Sequence, residues 1–164
     1  MDTRTRPGGL PRACQLVQAA AQAAGVAIDI RVHSQSTRTA EEAAAACGCK
    51  TGQIVKSLVF RAKNSGNPVL FLVSGANRVR ESAIAGMLGE KIERPDADFV
   101  REKTGYAIGG IPPFGHPAPL LTLMDEDLLA FANVFAAAGT PNSIFEIDPR
   151  LLLAVSKAKP CKVK

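Results

Sequence analysis

No apolar run in this chain approaches the roughly 20 residues that a membrane-spanning helix needs, which excludes an integral helical membrane protein. The opening stretch, MDTRTRPGGLPR, has no apolar segment of the kind a secretory leader carries, so the expected location is cytoplasmic. Cysteine is scarce: Cys14, Cys47, Cys49 and Cys161. The Cys47-Gly48-Cys49 spacing is too tight for zinc ligation by Cys-x-x-Cys, and neither a second pair nor a neighbouring histidine completes a site. The thiols read as reduced and structural or incidental, with a redox role of the close pair left open. His33 and His116 are the only histidines. No Walker-type loop, dinucleotide fingerprint or Gly-x-Ser-x-Gly elbow is present. A triad of Ser74, His116 and an aspartate can be drawn, but no such signature supports it. No metal and no cofactor is expected, and there is no internal repeat.

What is present fits one globular domain of 164 residues, with 46% apolar and 21% charged residues. The net charge of +5 is uneven. Residues 1–12 carry +2 and residues 157–164 carry +4, which leaves −1 for the body. A body-wide nucleic-acid surface does not follow. Between Ala43 and Arg80, however, six cations (Lys50, Lys56, Arg61, Lys63, Arg78, Arg80) occur without one acid. They meet a polyanion if they share a face, and are ordinary surface charges if they are scattered.

The periodicities predict helices over Pro11–Ala24, Thr39–Cys47 (with Thr39 and Glu42 as a capping box), Asn77–Met87, Ala97–Lys103 and Pro149–Val155. Strands are predicted over Ala27–His33, Gln53–Ala62, Pro68–Ser74, Lys91–Glu93, Leu120–Met124, Phe131–Ala137 and Ile144–Ile147. Hairpins outnumber βαβ crossovers, so the expected fold is α+β: a single compact domain with a mixed, curved, barrel-like sheet and flanking helices. The expected organisation is a mobile segment 1–10, a domain 11–156 and a basic, mobile tail 157–164.

Two features carry chemistry. The loop Thr104–His116, TGYAIGGIPPFGH, mixes four glycines with two adjacent prolines, which makes it stiff and shaped. It serves either as a tight structural turn or as a frame that presents backbone N–H groups. Lys56 lies in Gln53-Ile-Val-Lys-Ser-Leu-Val-Phe60, where alternation puts it on one face with Ile54, Leu58 and Phe60. An ammonium among apolar side chains either snorkels to solvent or is held to meet an anion or polarise a carbonyl. Ser74-Gly75 ends the next strand and either lines a pocket or makes a turn.

Taken in order over about residues 30–155, the strand lysine, the Phe-Leu-Val-Ser-Gly strand and Thr-Gly-Tyr-x-x-Gly-Gly-Ile-x-Pro-Phe-Gly resemble the YbaK/ProX family of aminoacyl-tRNA editing domains. The resemblance implies hydrolysis of the ester joining a wrong amino acid to the tRNA 3′ adenosine, with a positioned water as nucleophile. Its Gly-x-x-x-Pro motif falls on Gly109–Pro113, giving Gly109, Gly110 and Pro113 with Lys56 as the catalytic set. Expected substrate contacts are His33, Ser74, Tyr106, Ile111, His116 and Ser143; expected tRNA contacts are Lys50, Lys63, Arg78 and Arg80. Further tRNA contacts are expected from the lysine tail or a partner synthetase. Relatives directed at cysteine carry Ser-Gly-Gly where this chain has Gly139–Ser143, and Ala138 stands at the serine. That favours alanine or a similarly small residue on tRNA for proline, with aminoacyl-tRNA and a prolyl-tRNA synthetase as partners and no membrane. The alternatives are a non-catalytic module that binds the tRNA 3′ end or a synthetase, and a small-molecule esterase.

Overall fold

The central hairpin organises the molecule. Strand β3 (Ile54–Ala62) turns through a short loop into β4 (Pro68–Ser74), paired antiparallel from Val55↔Ser74 to Arg61↔Pro68. From Val69 onward β4 is buried on both faces, as its unbroken apolar run requires. Leu70 and Leu72 enter one core; Val69, Phe71 and Val73 enter a second on the other face, where Phe71 meets Phe60 edge-on with centroids 5.3 Å apart. The computed structural model describes residues 2–4 and 9–164.

Outward from the hairpin, β6 (Leu121–Asp125) runs parallel to β4, and β9 (Lys159–Cys161) runs parallel to β6. On the other side, β7 (Val134–Ala137) runs parallel to β3 and is followed by β8 (Ser143–Ile147), β2 (Arg31–His33) and β1 (Asp2–Arg4), all antiparallel. The two-residue β5 (Ile92–Glu93) pairs with the far end of β3. The fold is α+β with a mixed sheet, as expected. The barrel-like closure is not found: β1 and β9 end the strand order and do not pair with each other. The helices are α1 (Arg12–Ala23), α2 (Ala40–Cys47), α3 (Glu81–Leu88), α4 (Ala97–Thr104) and α5 (Pro149–Ser156). Thr39 caps α2 as its sequence predicts: its hydroxyl accepts from the Glu42 N–H at 3.1 Å and its N–H donates to Glu42 Oε1 at 3.2 Å.

Several boundaries differ from expectation; the strand expected over Phe131–Ala137, for one, begins at Val134. Only Arg31–His33 of the 27–33 run is strand. Val26 and Ile30 are buried and Ile28 packs on the core, but the pairing with β8 begins at Arg31, so the alternation reports burial and not pairing. Helix α3 starts at Glu81, because the preceding residues are engaged elsewhere: the Asn77 N–H donates to the Ser74 carbonyl and the Arg80 N–H to the Val163 carbonyl. The basic tail contributes β9, and Val163 is fully buried, its carbonyl accepting the Arg80 N–H. The expected N-terminal segment falls partly on residues 1 and 5–8, which lie outside the described residues.

Candidate active site

The glycine-proline loop is built from its own sequence. Thr104, at the end of α4, donates its hydroxyl to the Val100 carbonyl at 2.7 Å and accepts the Tyr106 N–H at 3.1 Å, fixing how the chain leaves the helix. Gly109 holds φ +94, a region closed to most side chains, and a Cβ there would lie 2.7 Å from Arg38 Cγ. At Gly110 the constraint is contact: a Cβ would lie 2.8 Å from the Thr140 backbone. Ile111, Pro112, Pro113 and Phe114 are buried, and Phe114 meets Phe145 edge-on at 5.7 Å. His116 Nε2 donates to the Pro112 carbonyl at 2.8 Å, drawing the far end of the loop back on itself. Burial holds the His116 pKa below the ordinary histidine value, against the opposing effect of that hydrogen bond.

The loop walls a cavity of about 650 Å³, within the ordinary range for small-ligand pockets of about 300–1,000 Å³. Its lining combines the aliphatic Ala40, Ile54, Ala136 and Ile144 with Gly109 and Ile111 of the loop and the charged Lys56, Arg78 and Glu41. Lys56 is half-buried and Nζ donates to the Asn77 carbonyl at 2.5 Å. Burial lowers its pKa and the Arg78 guanidinium lowers it further, while Glu41 and Asp125 oppose the shift. Behind Asn77 stands Asp125, 1% exposed. Its Oδ2 accepts the Ser74 N–H at 3.1 Å and Asn77 Nδ2 at 2.8 Å, and its Oδ1 accepts the Asp127 N–H at 3.0 Å. Asn77 Nδ2 also donates to Asp127, which pairs with Lys164 at 3.0 Å. A buried carboxylate thus fixes Asn77, and Asn77 fixes the ammonium.

Of the three N–H groups in Gly109–Pro113, the prolines having none, that of Gly110 donates to the Ala107 carbonyl at 3.0 Å. Among the described residues, those of Gly109 and Ile111 have no protein partner. The Gly110 N–H is thus committed within the loop.

The structure brings Lys56, Gly109, Ile111 and Arg78 to one cavity. Other expected residues lie elsewhere. Gly110 and Pro113 are buried in the loop's support. The Ser74 hydroxyl donates to the Gly52 carbonyl at 2.7 Å. Tyr106 is buried against the His116 ring, with centroids 6.4 Å apart. Ser143 is buried, exchanging hydrogen bonds with Thr140. His33 lines a separate pocket beside Cys47 and Glu146. Lys50, Lys63 and Arg80 are exposed and outside the lining; the Lys63 N–H donates to the Lys91 carbonyl, at the opposite end of β3. The cysteines are free thiols, and burial followed by the Glu146 charge raises the Cys49 pKa. Among the described residues no group of three or more His, Cys, Asp or Glu is placed to hold a metal, and no helix is long and apolar enough to cross a membrane.

The profile of the aminoacyl-tRNA editing domain matches residues 34–155, a span that holds Lys56, Asn77 and the whole loop. The chain belongs to that family. Among solved structures, a proposed trans-editing enzyme for prolyl tRNA synthetase is 43% identical with a TM-score of 0.89, the match covering 94% of this chain and 98% of that one. The protein YwhH of Bacillus subtilis (strain 168) is 31% identical over 131 residues, 80% of this chain and 83% of YwhH. A proline–tRNA ligase of Thermoanaerobacter sp. (strain X514) is 29% identical over 110 residues, 65% of this chain. The match spans only 19% of the ligase's length. Sequence reading missed Arg38, Asn77 and Asp125. Asp125 had one visible signal, an acid closing an apolar strand; Asn77 and Arg38 had none.

Proposed function

We propose that this editing domain hydrolyses the ester of tRNA mischarged with a small amino acid, alanine or a residue of similar size on tRNA for proline. The observation that carries the reading is that Lys56, Gly109 and Ile111 line one cavity, and that among the described residues the N–H groups of Gly109 and Ile111 have no protein partner. In this reading water attacks the ester carbonyl carbon. The carbonyl oxygen becomes an oxyanion received by the loop N–H groups; as it collapses, the bond to the 3′ oxygen breaks, and that oxygen, its developing charge offset by Lys56, takes up the proton given up by the attacking water, leaving the free amino acid and a 3′ hydroxyl. Removing one such donor costs about 3 kcal/mol in comparable sites. An aminoacyl ester is already activated, so oriented donors suffice without a covalent intermediate. Ser57, the serine in the lining, has no hydrogen-bonded base, and the Thr39 hydroxyl is committed to its helix cap. The glycine-proline loop limits the amino-acid side chain by shape, which excludes larger residues more strongly than apolar contact favours smaller ones. The sequence likeness to proline–tRNA ligases supports tRNA for proline as substrate and the synthetase as partner. Charged tRNA is met in the cytoplasm, and we place the protein there.

The test is deacylation of tRNA charged with Ala, Cys, Ser, Thr or Pro by the wild type and by Lys56→Ala. The expected result is selective loss of the alanyl ester, abolished in the variant while its melting temperature is kept. Stoichiometric binding without ester loss above background would instead establish a non-catalytic module.

A further inference from the structure

Among the described residues, the cavity beside Lys56 is lined by three cations, Arg38, Lys56 and Arg78, and by a single acid, Glu41. Glu41 sits in the first turn of α2, and the start of that helix is held in place. The capping box fixes Thr39. Ala40 lies so close to Gly75 that a Cβ on the glycine would come within 2.9 Å of the alanine Cβ, and Ala40, Ala43 and Ala44 pack with Ile54 and Ile144. The cap uses Glu42 and leaves the neighbouring carboxylate uncommitted. Among the described residues no hydrogen bond or ion pair engages the Glu41 side chain. Its charge is felt at Lys56, whose pKa it raises against the effects of burial and of Arg78.

The acids behind Lys56 are already engaged. Asp125 is buried and accepts from Ser74, Asn77 and Asp127. Asp127 accepts from Asn77 and pairs with Lys164. An aminoacyl ester brings to the cavity a charge that an ordinary ester lacks: the α-ammonium, one carbon from the carbonyl that reacts. The three cations repel it, and more strongly where water is partly excluded. The one carboxylate in the lining is placed to accept it in a charge-assisted hydrogen bond.

We propose that Glu41 is a specificity residue that receives the α-ammonium of the aminoacyl group, so that the site selects esters with a free, protonated amine. The assignment rests on the reading of this cavity as the aminoacyl site, and it adds a criterion that shape does not supply. A hydroxyacyl ester of the same size lacks the charge. An ester whose nitrogen is acylated, as in a peptidyl chain, lacks it too and escapes hydrolysis. A site built around a polar group of its substrate rejects the analogue without that group more sharply than apolar contact separates homologues.

The probes are alanyl-tRNA and lactyl-tRNA, which differ only in an ammonium or a hydroxyl at the α carbon. Their kcat/KM values are measured with the wild type, Glu41→Gln and the control Glu81→Gln, an exposed acid in the first turn of α3 outside the cavity lining. The alanyl-to-lactyl ratio should fall at least tenfold in Glu41→Gln and hold its wild-type value in Glu81→Gln, at an unchanged melting temperature. Comparing ratios removes the intrinsic difference in ester lability, any gain in RNA affinity from losing a negative charge, and any change in Lys56. A second readout needs no hydrolysis: in NMR titration with 3′-alanylamino-3′-deoxyadenosine and its lactyl counterpart, Glu41→Gln should weaken binding of the alanyl amide alone. Hydrolysis of alanyl-tRNA with an unchanged ratio overturns the role of Glu41 and keeps the enzyme. A Glu41-dependent binding preference without hydrolysis by the wild type keeps the ammonium site and removes the enzyme. Absence of both overturns both.

Discussion

Substituting Gly110 by alanine tests whether the loop's position, more than any side chain, sets the activity. The added Cβ would lie 2.8 Å from the Thr140 backbone, and ordinary contact begins at 3.4 Å, so loop or turn must give by about 0.6 Å. Neither yields cheaply: Ile111 to Phe114 are buried, and Thr140 is tied to Ser143 by hydrogen bonds of 2.7 and 3.1 Å. Overpacking of this kind costs about 1–3 kcal/mol. At about 2–4 °C per kcal/mol for a domain of this size, the melting temperature should fall by several degrees. A displacement of this order at reacting groups lowers turnover by tens of times, and about 1 Å costs roughly 10²-fold. The assay is single-turnover deacylation of alanyl-tRNA alongside a thermal melt. Gly86→Ala in α3 is the control: a Cβ there meets nothing within 4 Å, and helix propensity predicts a gain of about 0.5–1 kcal/mol with full activity. Wild-type turnover in Gly110→Ala, with the melt lowered as expected, would refute the claim that the loop frames the reacting carbonyl.

Arg78→Gln removes one cause of the lowered Lys56 pKa, so the alkaline limb of the deacylation profile, where the ammonium is lost, should move to higher pH once spontaneous hydrolysis is subtracted; an unmoved limb would detach that limb from Lys56. Asp125→Asn puts an amide NH2 among three donors, from Ser74, Asn77 and Asp127. A loss of about 1–3 kcal/mol in denaturant midpoint analysis is expected, together with a lower kcat as Lys56 loses its fixed partner. His116 has a folded pKa below its unfolded value, so the unfolded chain binds the extra proton first and stability falls on acidification below about pH 6.5. In His116→Gln that part of the pH dependence of the melting temperature should vanish.

Local signals were legible wherever local chemistry decided the outcome. The Thr39–Glu42 cap and the two strands of the β3–β4 hairpin follow from short-range patterns, and the structure reproduces each. The site was half legible. Lys56 and Gly109 announce themselves because an ammonium in an apolar strand and a glycine-proline loop each demand a reason. Asn77 is invisible because its role lies in its carbonyl and in an amide bonded to residues some fifty positions later. Helical propensity over 77–80 gave way to that non-local network. The same holds for sheet order: parallel pairing of β3 with β7 depends on chain return, which leaves no mark in either strand. The tail misled because its lysines read as solvated charge, while Cys161 and Val163 between them are buried.

The burial of Val163 has a consequence for how the protein is made. Its carbonyl holds the Arg80 N–H, and its side chain joins the core that contains Phe60, Phe71 and Val73. During synthesis the hairpin emerges early, yet the extended segment that positions Lys56 through Asn77 gains its last support only when residue 163 has cleared the ribosome. Completion of the site therefore waits on residue 163, and a nascent chain should show a formed hairpin before it shows a competent pocket.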